Sequence, residues 1–152
     1  MNTIEPTPET ELLAFRLSAQ EFCIDIMSVR EIRGWSQVTP LPFAPSHVKG
    51  MINLRGTVLP VIDLSARLGM PPIPGNDRNV IIVVTRDEQL TGLLVEAVSD
   101  ILSVAVTDLR PTPEVHDGGH TKFVRAIALV DDRLIRLLDV DEVLPDQAGQ
   151  AA

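Results

Sequence analysis

Along this chain, apolar residues gather in short runs broken by polar tips, and the runs recur twice in the same order. Residues 12–17 and 22–26 flank the polar stretch Ser18-Ala-Gln-Glu21, and residues 80–85 and 91–95 flank Arg86-Asp-Glu-Gln-Leu90. Both pairs predict hairpins. A third strand is expected around residues 32–38 and again around 101–106. Two more follow in each half: 50–54 with 58–62 around Arg55-Gly56-Thr57, and 124–130 with 134–138 around Asp131-Asp132-Arg133. Five short strands per half, rich in Val, Ile and Leu, fit a small closed barrel better than an open sheet, because closure leaves few unpaired edges. The expected fold class is all-β with short helices.

The recurrence is an internal duplication. Sliding residues 12–32 forward by 69 positions lays them without a gap on 81–101, and residues 49–68 lie on 125–144 at an offset of 76. Apolar positions agree between the copies, including Leu12/Ile81, Val29/Val98, Ile32/Ile101, Val61/Leu137 and Ile62/Leu138; Gln20/Gln89 and Asp63/Asp139 are identical. Both copies end on a helix signal. Asp63 precedes Leu64-Ser-Ala-Arg-Leu68 and Gly69, while Asp139 precedes Val140-Asp-Glu-Val-Leu144 and Pro145, with Glu142 placed to complete a capping box. The expected arrangement is one domain over residues 12–144, with lobe one at about 12–69 and lobe two at about 79–144. Each lobe is marginal alone, so the two should pack as a unit. The alignment leaves open an exchange of first strands between lobes. Residues 69–78, rich in Pro and Gly, read as a linker, and residues 1–11 and 146–152 as flexible termini. Val29, Ile32, Val61, Ile62, Val95, Val98, Ile101, Leu137 and Leu138 are expected to be buried.

Composition narrows the functions available. A net charge of −8 and a pI near 4.7 argue against nucleic acid or an anionic membrane as partner. No apolar run is long enough to span a bilayer, no signal peptide is visible, and one cysteine excludes an internal disulfide, so the expected compartment is the cytoplasm. Mean hydropathy is nonetheless +0.18 with only 3% aromatic residues. A small chain has much surface per residue, so some of these aliphatic side chains should remain exposed as partner surface.

The chain shows no catalytic constellation. Cys23 sits in a strand pattern and its counterpart is Gly92, which marks it as a small core residue. His116 and His120 bracket Asp117-Gly-Gly in a loop without further metal-ligand spacing, and His47 stands in a proline-framed turn. The informative differences are those between the copies. Copy one has Arg30-Glu31 where copy two has Ser99-Asp100, Asn53-Leu-Arg55-Gly56 where copy two has Leu129-Val-Asp131-Asp132, and the extra frame Thr39-Pro-Leu-Pro-Phe-Ala-Pro45. Charges confined to one lobe amid excess aliphatics suit an asymmetric docking surface.

At these residues the chain resembles a known family. VREI at 29–32, TPLPFAPSHVKGMINLRGTVLPVIDLSARLG at 39–69, GLLVEAV at 92–98 and RLIRLLDVDEVL at 133–144 together resemble the CheW family of bacterial chemotaxis coupling proteins. Two positions depart from the pattern: Ala126 stands where a glycine is usual, and Glu96 where an aspartate is usual. The resemblance implies two packed five-stranded Src-homology-3-like barrels and a non-catalytic adaptor without cofactor. Its implied partners are the regulatory domain of the histidine kinase CheA and the hairpin tip of a chemoreceptor, with no nucleic acid and no membrane insertion. Receptor binding is then expected at Val29, Glu31, Ile32, Gly50, Asn53, Arg55 and Gly56, in a groove between the lobes. A kinase surface is expected near Val124, Ile127 and Leu134. The alternatives are a coupling protein of another chemosensory pathway, such as surface motility, and a ligand-binding or enzymatic barrel using the cleft between lobes.

Overall fold

The computed structural model describes residues 8–112 and 120–144. In chain order the elements are β1 (Glu9–Leu17), β2 (Gln20–Asp25), β3 (Val29–Gly34), β4 (Val48–Leu54), β5 (Thr57–Asp63), α1 (Leu64–Arg67), β6 (Val80–Arg86), β7 (Gln89–Val95), β8 (Ala97–Ala105), β9 (Leu109–Arg110), β10 (Val124–Val130), β11 (Arg133–Leu138) and α2 (Val140–Val143). The four hairpins turn on Ser18-Ala19, Arg55-Gly56, Asp87-Glu88 and Asp131-Asp132, with positive φ at both central residues each time. Such two-residue turns match the right-handed twist of the strands they join.

The strands form two sheets, in the orders β8-β1-β2-β11-β10-β9 and β3-β6-β7-β5-β4. Each sheet takes its opening hairpin from one copy and its remaining strands from the other. Hairpin β1–β2 joins the second copy, antiparallel to β8 and parallel to β11 through Cys23↔Leu137; hairpin β6–β7 joins the first, antiparallel to β3 and parallel to β5 through Gly92↔Val61. The exchange that the duplication left open is made.

Both barrels close at the same place. The chain beyond β3 returns to bond Thr39 with Met51 in both directions, at 2.9 and 2.8 Å, and β9 bonds Arg110 opposite Ile127. Met51 and Ile127 are equivalent in the duplication. Gly50, one residue earlier, has no room for a side chain: a Cβ there would stand 2.1 Å from the Thr39 carbonyl oxygen. Lobe two keeps the same irregularity in strand pairing beside Ala126. Gly50 thus has a structural role in barrel closure.

Successive strand residues face opposite sides, and the two core clusters separate along that alternation. Leu12, Ala14, Cys23, Ala128, Ile135 and Leu137 fill one barrel. Leu13, Phe15, Leu17, Phe22 and Ile24 instead join Ile82, Val84, Leu93 and Val95 in one continuous core, the seam between the barrels, where the Phe15 and Phe22 rings stack at 6.3 Å. Asp63 and Asp139 cap α1 and α2 as expected, accepting from the backbone N–H of Ala66 and Asp141. The Asp139 N–H, however, donates to the Phe123 carbonyl, so no capping box with Glu142 forms there. Residues 70–78 are a pinned strap: Ile73 is buried, its N–H donates to Asp63 Oδ2 at 2.8 Å, and the Ser65 hydroxyl donates to the Pro71 carbonyl.

Three expectations need correction. β1 begins at Glu9, where pairing with Ala105 of β8 already holds the chain, so residues 9–11 do not fray. Ile32 and Ile101 are not core residues but 45% and 55% exposed. Val29 and Val98 are only half-buried, packed against the core from its margin. Each isoleucine sits on the last strand of its sheet and shares a face with a seam residue, Ile82 and Leu13 respectively, beyond the cover of the opposite barrel. Val61, Ile62, Val95, Leu137 and Leu138 are buried.

Two outcomes follow for stability. A carboxylate in the seam lacks any partner for its charge, so Ile62→Asp or Leu138→Asp should abolish cooperative unfolding in a urea titration. Gly50→Ala should lower stability by ~1–3 kcal/mol, because the added methyl forces the Thr39 segment off Met51.

Candidate docking surface

The residues singled out in lobe one gather at one end of the β3–β6–β7–β5–β4 barrel, but most serve one another first. The Arg55 Nη2 donates to Glu31 Oε1 at 2.6 Å, and Arg33 Nη1 donates to Glu31 Oε2 at 3.3 Å. The side chain of Asn53 accepts the Gly56 N–H at 2.8 Å and so locks the turn that carries Arg55, whose φ is 50°. Glu31 and Arg33 alternate with the exposed residues Arg30 and Ile32 along β3. The expected receptor set is therefore split: Glu31, Asn53, Arg55 and Gly56 build a polar clasp at the barrel end, while Ile32 lies on the seam side. Val29 and Gly50 are partly or wholly covered.

Lobe two has its own clasp, which overturns the argument that such charges belong to lobe one alone. Arg133 Nη2 donates to Glu21 Oε2 at 2.5 Å and lies 3.3 Å from Asp100 Oδ1. Asp100 is the duplication partner of Glu31. The sequence comparison missed this pairing because the arginine has moved within the hairpin, from the first turn residue to the residue after the turn. Their environments also differ. The Glu31 carboxyl is lowered from its ordinary value, chiefly by the hydrogen bond from Arg55 and then by Arg33, against a partial desolvation. Arg133 is raised by its bonds to Glu21 and Asp100.

The expected kinase-facing residues divide similarly. Leu134 is 54% exposed and pairs across the hairpin with Leu129, itself 52% exposed, giving an aliphatic pair on the outer face of β10–β11. Ile127 is half-buried on that same face, whereas Val124 lies beyond the strand irregularity and packs on the seam core. Copy one places Asn53 and Val58 where Leu129 and Leu134 stand, so the polar-to-apolar change at 53/129 was the available signal for Leu129. Phe43 was also overlooked; it is fully exposed, at φ 63°, inside the proline frame.

Cys23 lies inside its barrel, where burial and then the Glu21 charge push its thiol up to about 12. His47 is lowered by desolvation and by Arg67. His116 and the side chain of His120 lie outside the described residues. The cleft between the lobes is lined by Arg67, Arg86, Asp87, Lys122, Asp141, Glu142 and Leu144. Within it Arg67 donates to the Val143 and Glu142 carbonyls and Arg86 to the Asp141 carbonyl, so these arginines tie the barrel that holds β6, and α1 beside it, to α2. Among the described residues, no helix is long and apolar enough to cross a membrane.

A duplicated chain folded as two hairpin-exchanged small barrels, with exposed aliphatic side chains and polar clasps, is a paired-barrel module. The comparisons narrow this to one family. The model of the CheW-like domain matches residues 11–148, and the chain belongs to the CheW-like family. It is 49% identical over 142 residues to the chemotaxis protein CheW of Rhizobium meliloti, covering 93% of this chain and 92% of that one. It is 27% identical to protein FrzA of Myxococcus xanthus, over 90% and 86%. The crystal structure of the scaffolding protein TtCheW from Thermoanaerobacter tengcongensis superimposes with a TM-score of 0.80 at 32% identity, covering 87% and 90%.

The clasp predicts a pH signature. With its native carboxyl lowered, Glu31 contributes stability that is fully present above its unfolded-state value and is lost as pH falls through the lowered one. The melting-temperature gap between the wild type and Glu31→Gln should therefore be widest near neutrality and close in acid. A gap that persists when Glu31 is fully protonated would assign the effect to packing. Arg133→Gln, which strands two carboxylates, should destabilise more than Arg55→Gln.

Proposed function

We propose that this protein is a non-catalytic adaptor of a chemosensory array, joining the cytoplasmic tip of a chemoreceptor to the histidine kinase CheA. Family membership over nearly the whole chain carries this reading, and the scaffolding name of the Thermoanaerobacter relative agrees with it. The surface supplies the means. Ile32 and Ile101 are half-exposed on the seam-side faces of the two barrels, the apolar contacts a helical hairpin in an interlobe groove would need. Arg55 at the neighbouring barrel end supplies a charge to set register. The kinase regulatory domain, of like fold by family resemblance, is assigned to the outer face of β10–β11 around Ile127, Leu129 and Leu134. The protein acts in the cytoplasm, recruited to membrane-anchored receptors.

A second reading within the same class has an observation behind it. FrzA matches most of this chain under a name other than CheW, and the second reading is a coupling role in another chemosensory pathway, such as surface motility.

Titrations with a receptor-tip hairpin and with the kinase regulatory domain separate the surfaces. Ile32→Glu should weaken hairpin binding at least tenfold and leave kinase binding intact, while Leu134→Glu should do the reverse. Binding of the regulatory domain, carried by aliphatic contact, should change little between low and high salt. A wild-type chain that binds neither partner refutes the adaptor role.

A further inference from the structure

The two clasps are built with opposite stoichiometry. In lobe two, one arginine serves two carboxylates: Arg133 is 34% exposed and bonded to both Glu21 and Asp100. In lobe one, two arginines serve one carboxylate, Glu31. The first is locked, since freeing Arg133 leaves two acids without a counterion. The second has a cation to spare. Arg55 is 71% exposed, and its bond to Glu31 is the sole side-chain hydrogen bond found for it among the described residues. Glu31 is only 25% exposed and keeps Arg33 when Arg55 departs. Arg33 also holds a donor in reserve, its buried Nε having no hydrogen-bond partner.

We propose that Arg55 is an exchange residue: on docking it leaves Glu31 and captures a carboxylate of the partner, while Arg33 neutralises Glu31 behind it. The inference rests on the docking reading above and names the chemistry of that site, an acidic group on the incoming helix. It also alters the role of Glu31, which holds Arg55 at rest and competes with the partner instead of touching it. Exchange suits this position because one ion pair replaces another, so no charge is left unpaired when the contact forms. The turn under the arm is braced: the Asn53 side chain accepts the Gly56 N–H and fixes the backbone on which Arg55 stands, at φ 50°.

The test uses the full-length protein and a soluble helical hairpin from a chemoreceptor tip, in its native form and with its exposed carboxylates converted to amides. Arg55→Gln should weaken binding of the native hairpin about tenfold. Glu31→Gln should preserve or tighten it a few-fold, because the competitor is gone. Arg33→Gln should weaken it, as Glu31 then depends on Arg55 alone, and adding Glu31→Gln to that variant should restore binding. The amidated hairpin should bind as weakly to the wild type as the native one does to Arg55→Gln, with no further loss on combining the two. Weakening by Glu31→Gln comparable to that of Arg55→Gln makes Glu31 a contact or an orienting group and overturns the exchange. Equal sensitivity of both hairpins to Arg55→Gln overturns the carboxylate. If the wild type binds no hairpin, the receptor reading itself falls, and the exchange with it. Melting curves of each variant, at wild-type cooperativity, confirm that binding and not folding was measured.

Discussion

Exchange of the opening hairpins is the constraint on which the rest of this structure depends. Neither copy contains a complete barrel: β1–β2 finds its partners in β8 and β11, and β6–β7 finds its partners in β3 and β5. The exchanged hairpins also carry the seam, because the side chains that turn away from each barrel's interior meet those of the other, Leu13, Phe15 and Ile24 against Ile82, Val84 and Leu93. Barrel formation and lobe packing are therefore one event. A fold so linked has few ways to open in part, since loss of either hairpin removes two strands from one barrel and half the seam from both.

That linkage also sets where the surface can be apolar. β6 and β1 are buried on both faces, inside a barrel and in the seam, while the flanking strands β3 and β8 are covered on one side only. Ile32 and Ile101 lie at that boundary. Their half exposure is a geometric result of sheets wider than the seam, and it leaves aliphatic contact area in a fixed place on a rigid support. The excess of hydropathy over what a chain this size needs for its core is visible there and on the Leu129–Leu134 pair.

The barrel ends show how a duplicated scaffold diverges without losing its closure. An acid on the third strand and an arginine on the last hairpin meet in both lobes, so the interaction is architectural. What differs is the count of partners and the place of the arginine, at the turn in lobe one and just after it in lobe two. One clasp is sealed by two carboxylates around a single guanidinium. The other presents its arginine to solvent on a turn that Asn53 braces.

Much of this was written in local pattern. Alternation, the repeat and the capping aspartates are short-range signals, and they placed the two helices, the hairpin turns, the hairpin strands and the all-β class, because a strand's inward positions and a helix's first turn are decided within a few residues; the third strand of each half, expected near 32–38 and 101–106, instead starts at Val29 and Ala97, and β9 carried no such signal. The family was legible in the long run from Thr39 to Gly69. Three things were decided only in tertiary structure. The exchange of hairpins leaves each copy's local pattern unchanged, so no periodicity could reveal it. The exposure of Ile32 and Ile101 depends on how far the opposite barrel reaches, and the alignment, which makes them equivalent, could not say that both stand outside. The Glu31–Arg55 and Asp100–Arg133 pairs join residues distant in sequence, with the arginine in different registers of the two copies. Side chains that look free in a linear comparison are bound once the barrel brings its ends together, because ion pairing depends on distance in space and not on position in the repeat.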